Sequence, residues 1–339
     1  MVNIWTILLS LLIFGLLIVV HEAGHFISAR LCRVGVTEFA IGMGPVLYKR
    51  QGKYTLFSVR ALPIGGFCKI VDEDDEDGGG ESISSKGKLA RAFIFSAGSL
   101  MNFVAAYVLF AIALLIVGLP TTTVGGFTQG YPAEQAGLAV GDRVVSIANS
   151  KIDRWEDISV ALKDYKGEGV VEVVVFRAAT NENLTFQIQP GYVEGEDRYI
   201  IGITPQISKN IFGVLKKTAI LIGTYTALIF STLIGLLKGA AGLDVFTGPI
   251  GVVSIVGQMA AYGVLPILQI AASISLSLAI LNMLPIPALD GSRIFLLLVE
   301  WIKGSPVNRE RENIFHLVGF ALMILLAVVV AFNDVYRFF

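Results

Sequence analysis

The chain has 339 residues, of which 54% are hydrophobic and only 16% are charged, and its formal net charge is -1. An average soluble domain carries roughly 25% charged residues, so this composition excludes a purely water-soluble globule. The near-neutral charge argues against a nucleic-acid-binding protein, which would present a basic face. Two cysteines, Cys32 and Cys68, are too few for a disulfide framework.

Windows without charged side chains mark the expected membrane segments. They cover residues 2–20, 92–119, 218–237, 245–289 and, apart from His316, 314–333. A helix needs about 20 apolar residues to cross a bilayer, so these windows give about five candidate spans. No Lys or Arg precedes the first window and no small-residue cleavage site follows it. We therefore expect a permanent first span rather than a signal peptide.

The first window ends in the sequence His21-Glu22-Ala23-Gly24-His25. Two histidines four residues apart share one helix face and can bind one metal ion, and the glutamate between them lies close enough to act on water there. These three are the only ionisable side chains from Met1 to Ala29. Charges in a membrane helix are costly and usually functional. The motif thus predicts a zinc site, against the alternative of a polar cluster that hydrogen-bonds to neighbouring helices.

Residues 121–217 change character, because charges return and apolar and polar residues alternate. The alternation predicts strands at 170–176 and 184–189, and a short helix is expected at 155–163. This pattern indicates a soluble domain inserted between membrane segments. Earlier in the chain, residues 55–60 also alternate like a strand and lead into a turn at Gly65-Gly66.

A catalytic zinc ion takes three protein ligands and keeps a fourth position for water. The candidates for the third ligand are three acidic residues and one histidine, Asp244, Asp290, Glu300 and His316. A surface ion pair with Lys303 explains Glu300, Asp244 is expected in a loop, and a lone histidine at the start of a span is usually an interfacial residue. Asp290 instead follows two prolines that break a helix at membrane depth, which is tolerated where the backbone is buried or lines a polar cavity. Asp290 is therefore favoured.

The HExxH motif, together with Asn282-Met283-Leu284-Pro285-Ile286-Pro287-Ala288-Leu289-Asp290-Gly291, resembles the bacterial site-2 proteases, in particular the group that cleaves anti-sigma factors. Residues 42–45, 62–67, 97–103 and 247–251 resemble the family as well, although many members have Pro where Ser99 stands. The resemblance implies that His21, His25 and Asp290 hold Zn²⁺ and that Glu22 is the catalytic base.

The same resemblance suggests a substrate-binding region. Asn282 matches a position that helps to hold the substrate backbone, although a polar contact between helices explains it as well. The segment around Gly65 and Gly66 resembles a β-structure that dips toward the site and pairs with an extended substrate. A hairpin confined to the cytosol is the alternative.

The soluble insert resembles a PDZ domain through Pro132-Ala133-Glu134-Gln135-Ala136-Gly137-Leu138 and the following Gly141-Asp142-Arg143-Val144-Val145-Ser146-Ile147. PDZ domains capture a peptide end by strand addition. In this family the domain is also thought to exclude substrates with a bulky outer domain, and the sequence does not choose between these roles.

The expected fold is a polytopic α-helical membrane protein with four transmembrane helices and an inserted β-rich PDZ-like domain. Basic residues follow the first span, which predicts that the loop after it is cytoplasmic, that the PDZ-like domain is extracytoplasmic and that the active site lies toward the cytoplasmic side. Two apolar windows separate that domain from Asp290, and two full crossings would put Asp290 on the wrong side of the membrane. One of the two windows is therefore expected not to cross it. The membrane part is expected to contain a first transmembrane helix (1–29), a cytoplasmic loop with a membrane-dipping hairpin (30–91) and a second transmembrane helix (92–119). The PDZ-like domain (120–206) and a membrane-associated or re-entrant segment (207–261) are expected to follow. The chain is then expected to continue with a third transmembrane helix (262–291), a cytoplasmic loop (292–313) and a fourth transmembrane helix (314–334).

The resemblance implies regulated intramembrane proteolysis, in which the enzyme cuts transmembrane segments of single-span proteins in the inner (plasma) membrane. Anti-sigma factors and remnant signal peptides are the usual substrates of the family, and no nucleic-acid partner is expected. One alternative is a membrane-anchored HExxH peptidase with a cytosolic site, which the prolines before Asp290 disfavour. Another is a catalytically silent escort protein, which Glu22 disfavours because a binding protein does not need the base.

Overall fold

A computed structural model describes residues 3–72, 80–240, 247–305 and 309–338. The chain divides into two compact units. Met1–Ala113 and Thr218–Phe339 form the first, here called the membrane unit, and Leu114–Lys217 forms the second, here called the insert.

The described helices include long apolar ones and short ones. They are α1 (Ile4–Leu31), α2 (Lys88–Val117), α3 (Pro132–Gln135), α4 (Trp155–Ala161), α5 (Ile211–Leu237), α6 (Pro249–Ala260), α7 (Val264–Asn282), α8 (Asp290–Lys303) and α9 (Arg309–Phe338). The strands are β1 (Val36–Gln51), β2 (Leu56–Ile70), β3 (Leu119–Phe127), β4 (Arg143–Ile147), β5 (Ser150–Lys151), β6 (Val171–Arg177), β7 (Glu182–Ile188), β8 (Gly191–Val193), β9 (Arg198–Ile200) and β10 (Ile203–Ser208).

Five helices of the described chain are long and apolar enough to cross a membrane. The candidate spans are Ile4–Leu31, Lys88–Val117, Ile211–Leu237, Val264–Asn282 and Ile314–Asp334. The structure therefore describes a membrane protein with an inserted β-rich domain, but the expected count of four spans is not confirmed. The helix in question is α5, which is continuous and lies along α2, since Ile222 packs with Phe110 and Phe230 lines a cavity with Ser99 and Leu284.

The helices α1 and α2 approach each other more closely than side chains normally permit. A Cβ added at Gly24 of α1 would lie only 2.3 Å from the carbonyl oxygen of Ala97 in α2. Glycine is required where two backbones come this close. This contact lies between the two histidines of α1, so α2 passes directly over the HExxH motif.

The strands β1 and β2 form a folded-back hairpin next to α1. Residues 36–41 of β1 pair with residues 66–70 and also with 56–59 of β2, while residues 46–51 pair with 56–60. Phe26 of α1 contacts the rings of Phe39 and Phe57 from the two strands. The hairpin is thus packed on α1, and residues 66–70 form one of its edges.

The short helix α6 begins at a buried carboxylate. Asp334 near the end of α9 is 1% exposed, and it accepts backbone hydrogen bonds from Gly248 at 3.1 Å and from Gly251 at 2.8 Å. A carboxylate at a helix N-terminus satisfies amide groups that have no partner within the helix. Asp334 therefore ties α6 to the last helix.

The segment expected as a cytoplasmic loop, 292–313, is partly helical, because α8 runs from Asp290 to Lys303. Its residues Gly291, Ser292, Leu297 and Glu300 are buried. Phe295, Leu298 and Trp301 are exposed on the other side. Apolar residues at this spacing form one face of an amphipathic helix.

The insert is built on a sheet in the order β10-β3-β4-β6-β7, with β5 paired to β4. Alternate residues of β6, Val171, Val173 and Val175, are buried in its core together with Ile147 and Ile158. The strands predicted at 170–176 and 184–189 are confirmed as β6 and β7, and the helix predicted at 155–163 as α4.

A buried ion pair closes the insert between β4 and β6. The guanidinium of Arg177 donates hydrogen bonds to Asp142, from Nε to Oδ1 at 2.8 Å and from Nη2 to Oδ2 at 2.7 Å. The Asp142 side chain is 2% exposed. The hydrogen bonds from Arg177 hold the pKa of Asp142 below its usual value.

We expect Asp142→Asn to destabilise the insert by about 2 kcal/mol, because it removes a charged hydrogen-bond acceptor from a buried pair. The folded pKa lies below the unfolded value of about 3.9, so the stabilisation is present above that value and is lost as pH falls through the folded pKa. Hydrogen exchange of β4 and β6 in the full chain, measured from pH 7 to pH 3, checks both statements. Asp153→Asn is the control, since Asp153 pairs with Lys151 on the exposed surface; equal effects of the two changes would contradict the prediction.

Candidate metal centre

Three side chains from distant parts of the membrane unit converge on one point. The Oδ2 atom of Asp290 lies 3.0 Å from Nε2 of His21 and 3.2 Å from Nε2 of His25. The two Nε2 atoms are 3.3 Å apart. Among the described residues, these three form a group able to hold one metal ion.

The donor set and its spacing fit zinc. A tetrahedral zinc site with bonds of about 2.0–2.1 Å separates neighbouring donor atoms by about 3.3 Å, close to the distances between these three atoms. Two imidazoles and one carboxylate leave the fourth position open, as in catalytic zinc sites. His21, His25 and Asp290 would therefore hold the ion.

The two histidines are presented by α1 and oriented by α2. Both are buried, and their positions four residues apart place them on one face of the helix. Nδ1 of His25 donates to the carbonyl oxygen of Ile94 at 2.8 Å. With its proton on Nδ1, His25 has the Nε2 lone pair free for a metal.

Asn102 of α2 orients the ring of His21 in the same way as Ile94 orients that of His25. Its amide nitrogen lies 3.4 Å from Nδ1 of His21, and its buried Oδ1 has no hydrogen-bond partner among the described residues. The amide oxygen and nitrogen of Asn102 are nearly indistinguishable, and exchanging them lets Oδ1 accept a hydrogen bond from the Nδ1–H group of His21. This orientation satisfies the buried oxygen and frees Nε2 of His21 for the metal.

Asp290 reaches the site from the first turn of α8. The loop before it contains Ala288, whose φ of +73° is unusual for a residue other than glycine. Gly291, the residue after Asp290, is packed so tightly that a Cβ there would lie 2.3 Å from the carbonyl oxygens of Met283 and Leu284. The break after α7 thus turns the chain sharply enough to direct Asp290 toward α1.

Glu22 lies beside the three candidate ligands without being one of them. It interacts electrostatically with His21, His25 and Asp290, and it lies near the backbone of Cys68 in β2. Its position therefore suits a general base acting on water at the fourth coordination position.

Gly66 of the hairpin lies next to Glu22, whereas Asn282 lies at the end of α7. A Cβ at Gly66 would be 3.7 Å from Cγ of Glu22, and Gly65 has a φ of +86°. Residues 66–70 pair with residues 36–41, so Gly66 lies on an edge strand of the hairpin. Asn282 is half-buried, and no described residue hydrogen-bonds to its side chain.

The other candidate ligands do not join the cluster. Glu300 is 7% exposed and pairs with Arg91 of α2 at 2.9 Å, so the expectation that it lies on the surface is wrong. Nδ1 of His316 accepts a hydrogen bond from the backbone of Ala288. Asp244 lies outside the described residues.

Two contributors, Gly98 and Asn102, were not given a role in the sequence analysis. A Cβ at Gly98 would lie 2.4 Å from Nε2 of His25, so the absence of a side chain makes room for the metal. Both residues stand in the stretch 97–103, which resembles the family. In the sequence, Asn102 is recognisable as an amide side chain in an otherwise apolar span, where polar groups are usually functional.

Comparison with known proteins gives matches along nearly the whole chain. The profile of peptidase family M50 matches residues 9–326. A Clostridium acetobutylicum protein, described as a candidate zinc metalloprotease, is 35% identical over 336 residues, which cover 98% of each chain. The regulator of sigma-W protease RasP of Bacillus subtilis is 30% identical over 420 residues, covering 98% of this chain and 99% of that protein. The zinc metalloprotease RasP of Geobacillus kaustophilus is 27% identical over 415 residues and covers 98% of both.

A solved PDZ domain of an SdrC-like protein from Listeria monocytogenes also matches. It is 18% identical and covers 26% of this chain and 86% of that chain, with a TM-score of 0.22. A TM-score this low carries no argument about the fold of the insert.

Proposed function

The chain belongs to peptidase family M50 and is a zinc metalloprotease, and on this basis we propose that it hydrolyses peptide bonds inside the transmembrane segments of other membrane proteins. The observation that supports this proposal is the position of the ligand cluster. His21 and His25 lie within α1, a helix long and apolar enough to span the bilayer, and Asp290 meets them directly after α7.

The proposed reaction is hydrolysis with Glu22 as the proton carrier. His21, His25 and Asp290 would hold zinc, which would supply the Lewis acidity that activates water and polarises the scissile carbonyl. Glu22 accepts a proton from the attacking water and returns it to the leaving amine.

A substrate helix hides its carbonyls in internal hydrogen bonds, so it has to unwind before it reacts. The hairpin edge at Gly66 is the proposed binding place for the unwound segment, because it lies beside Glu22 and an edge strand is suited to strand addition. Asn282, whose side chain has no partner among the described residues, is proposed to hydrogen-bond to the substrate backbone. Gly65 allows the turn that brings the edge to this position.

The proposed substrates are single-span membrane proteins, with anti-sigma factors and remnant signal peptides as the specific classes. The name of the Bacillus subtilis relative, a regulator of sigma-W protease, supports the first class. We place the protein in the inner (plasma) membrane, with the insert as an extracytoplasmic PDZ-like domain and the zinc toward the cytoplasm, since basic residues follow α1. The insert would capture substrates or exclude those with a bulky outer domain.

The test is cleavage of a single-span protein lacking its outer domain by the purified chain in lipid vesicles. We expect mass spectrometry to place the cut within the transmembrane segment, and we expect a chelator to stop the reaction and zinc to restore it. Asp290→Asn should lower both zinc affinity and rate, because it removes a charged ligand. Glu81→Gln, at an exposed carboxylate, is the control. A cut confined to the soluble part of the substrate would contradict the proposal.

A further inference from the structure

The loop before Asp290 holds Ala288 in a left-handed conformation, with φ at +73°. Side chains disfavour this region because Cβ crowds the following carbonyl. Such a conformation persists only where the surroundings hold it in place. Asp290 follows two residues later, so the position of its carboxylate depends on what holds Ala288.

His316 of α9 contacts this residue directly. Its Nδ1 accepts a hydrogen bond from the backbone N–H of Ala288 at 3.3 Å, which requires the ring proton to be on Nε2. One helix turn further along α9, Gly319 packs against the neighbouring Pro287. A Cβ at Gly319 would lie 1.9 Å from the Cβ of that proline. Helix α9 therefore holds two consecutive loop residues, one by a hydrogen bond and one by close packing.

We infer that His316 is a positioning residue for the metal centre, which acts by fixing the loop that delivers Asp290. His316 lies outside the ligand cluster of His21, His25 and Asp290 and touches neither zinc nor substrate in this role. The inference rests on the proposed function in that it takes Asp290 as a zinc ligand. It assigns a role in the site to the last helix, which contributes no ligand.

Substitutions of His316 separate the hydrogen bond from the bulk of the ring. In asparagine, Oδ1 is attached to Cγ, as Nδ1 is in histidine, so His316→Asn keeps an acceptor at the same place. Glutamine has its acceptor one bond further out, and alanine has none. We expect His316→Ala and His316→Gln to weaken zinc binding about tenfold, the factor that corresponds to one lost hydrogen bond. His316→Asn should stay within about threefold of the wild type.

Two measurements on the full-length protein are needed. The first is zinc affinity by competition with a chelator. The second is amide exchange of residues 284–290 in the metal-free protein, which reports the Ala288 hydrogen bond without any need for activity. Exchange should accelerate in His316→Ala and remain slow in His316→Asn. Leu317→Ala, at an exposed neighbouring position of α9, should change neither quantity.

A second background tests the role of the strained residue. Glycine adopts positive φ without the cost that alanine carries, so His316→Ala should weaken zinc binding less in an Ala288→Gly protein than in the wild type. Unchanged zinc affinity and unchanged exchange in His316→Ala would overturn the inference. A wild-type protein that fails to bind zinc at all would overturn the proposed function, and the positioning role with it.

Discussion

Changing Glu22 to Gln should abolish cleavage of a membrane substrate while the protein continues to bind zinc. The carboxylate lies beside the three candidate ligands but is not one of them, so its loss leaves the donor set complete. Glutamine has nearly the same shape as glutamate, but it cannot carry the proton. Removal of a general base typically lowers a rate by about 10²–10⁴-fold.

The measurement is a single-turnover cleavage assay combined with zinc content of the purified protein. Glu81→Gln makes the same substitution at an exposed carboxylate of the membrane unit and should leave both quantities unchanged. Cleavage by the Glu22→Gln protein at a rate near that of the wild type would show that another group serves as the base.

A methyl group at Gly98 should remove zinc almost as effectively as the loss of a ligand. The Cβ of Gly98→Ala would lie 2.4 Å from Nε2 of His25 and 2.7 Å from Nε2 of His21, the two atoms that face the metal. The helices cannot easily separate to accommodate it, because α1 and α2 are also in backbone contact at Gly24. Changes next to metal ligands lower metal affinity by about 10–100-fold, and we expect the upper end of that range.

Chelator competition measures the affinity, and thermal unfolding of the same samples shows whether the protein is still folded. The matched control is Gly223→Ala in α5, where an added Cβ meets no atom within 4 Å. Alanine is the better helix former by about 1 kcal/mol, so this control should unfold at the same or a higher temperature. Wild-type zinc affinity in Gly98→Ala would mean that the two helices are further apart than described.

The features that could be predicted from the sequence are those carried by local patterns. Alternation of apolar residues predicted β6 and β7, and the candidate ligands His21, His25 and Asp290 could be chosen because ionisable groups are rare in apolar segments. The spacing of Glu300 and Lys303 indicated a helix, and α8 contains both residues, but the sequence did not indicate that this helix begins at Asp290.

The remaining features depend on how the helices pack, which a single sequence does not reveal. Gly98 and Asn102 are important only because α2 lies across the HExxH face of α1, and Glu300 is buried only because Arg91 of α2 meets it. The number of transmembrane spans also depends on helix packing. Composition permits α5 either to cross the membrane or to lie on it, and only its contacts with α2 and α7 bear on which of the two it does.

The candidate ligands are also far apart in the order of synthesis, since His25 and Asp290 are separated by 265 positions in the sequence. At a translation rate of about 5–20 residues per second, the ribosome needs on the order of 13–53 s to make the chain between them. During that time α1 carries the two candidate histidine ligands and the proposed base but lacks the third candidate ligand. With the proposed ligand set, the zinc site is therefore incomplete while the protein is itself being inserted, and it is completed only when the last third of the chain has been made.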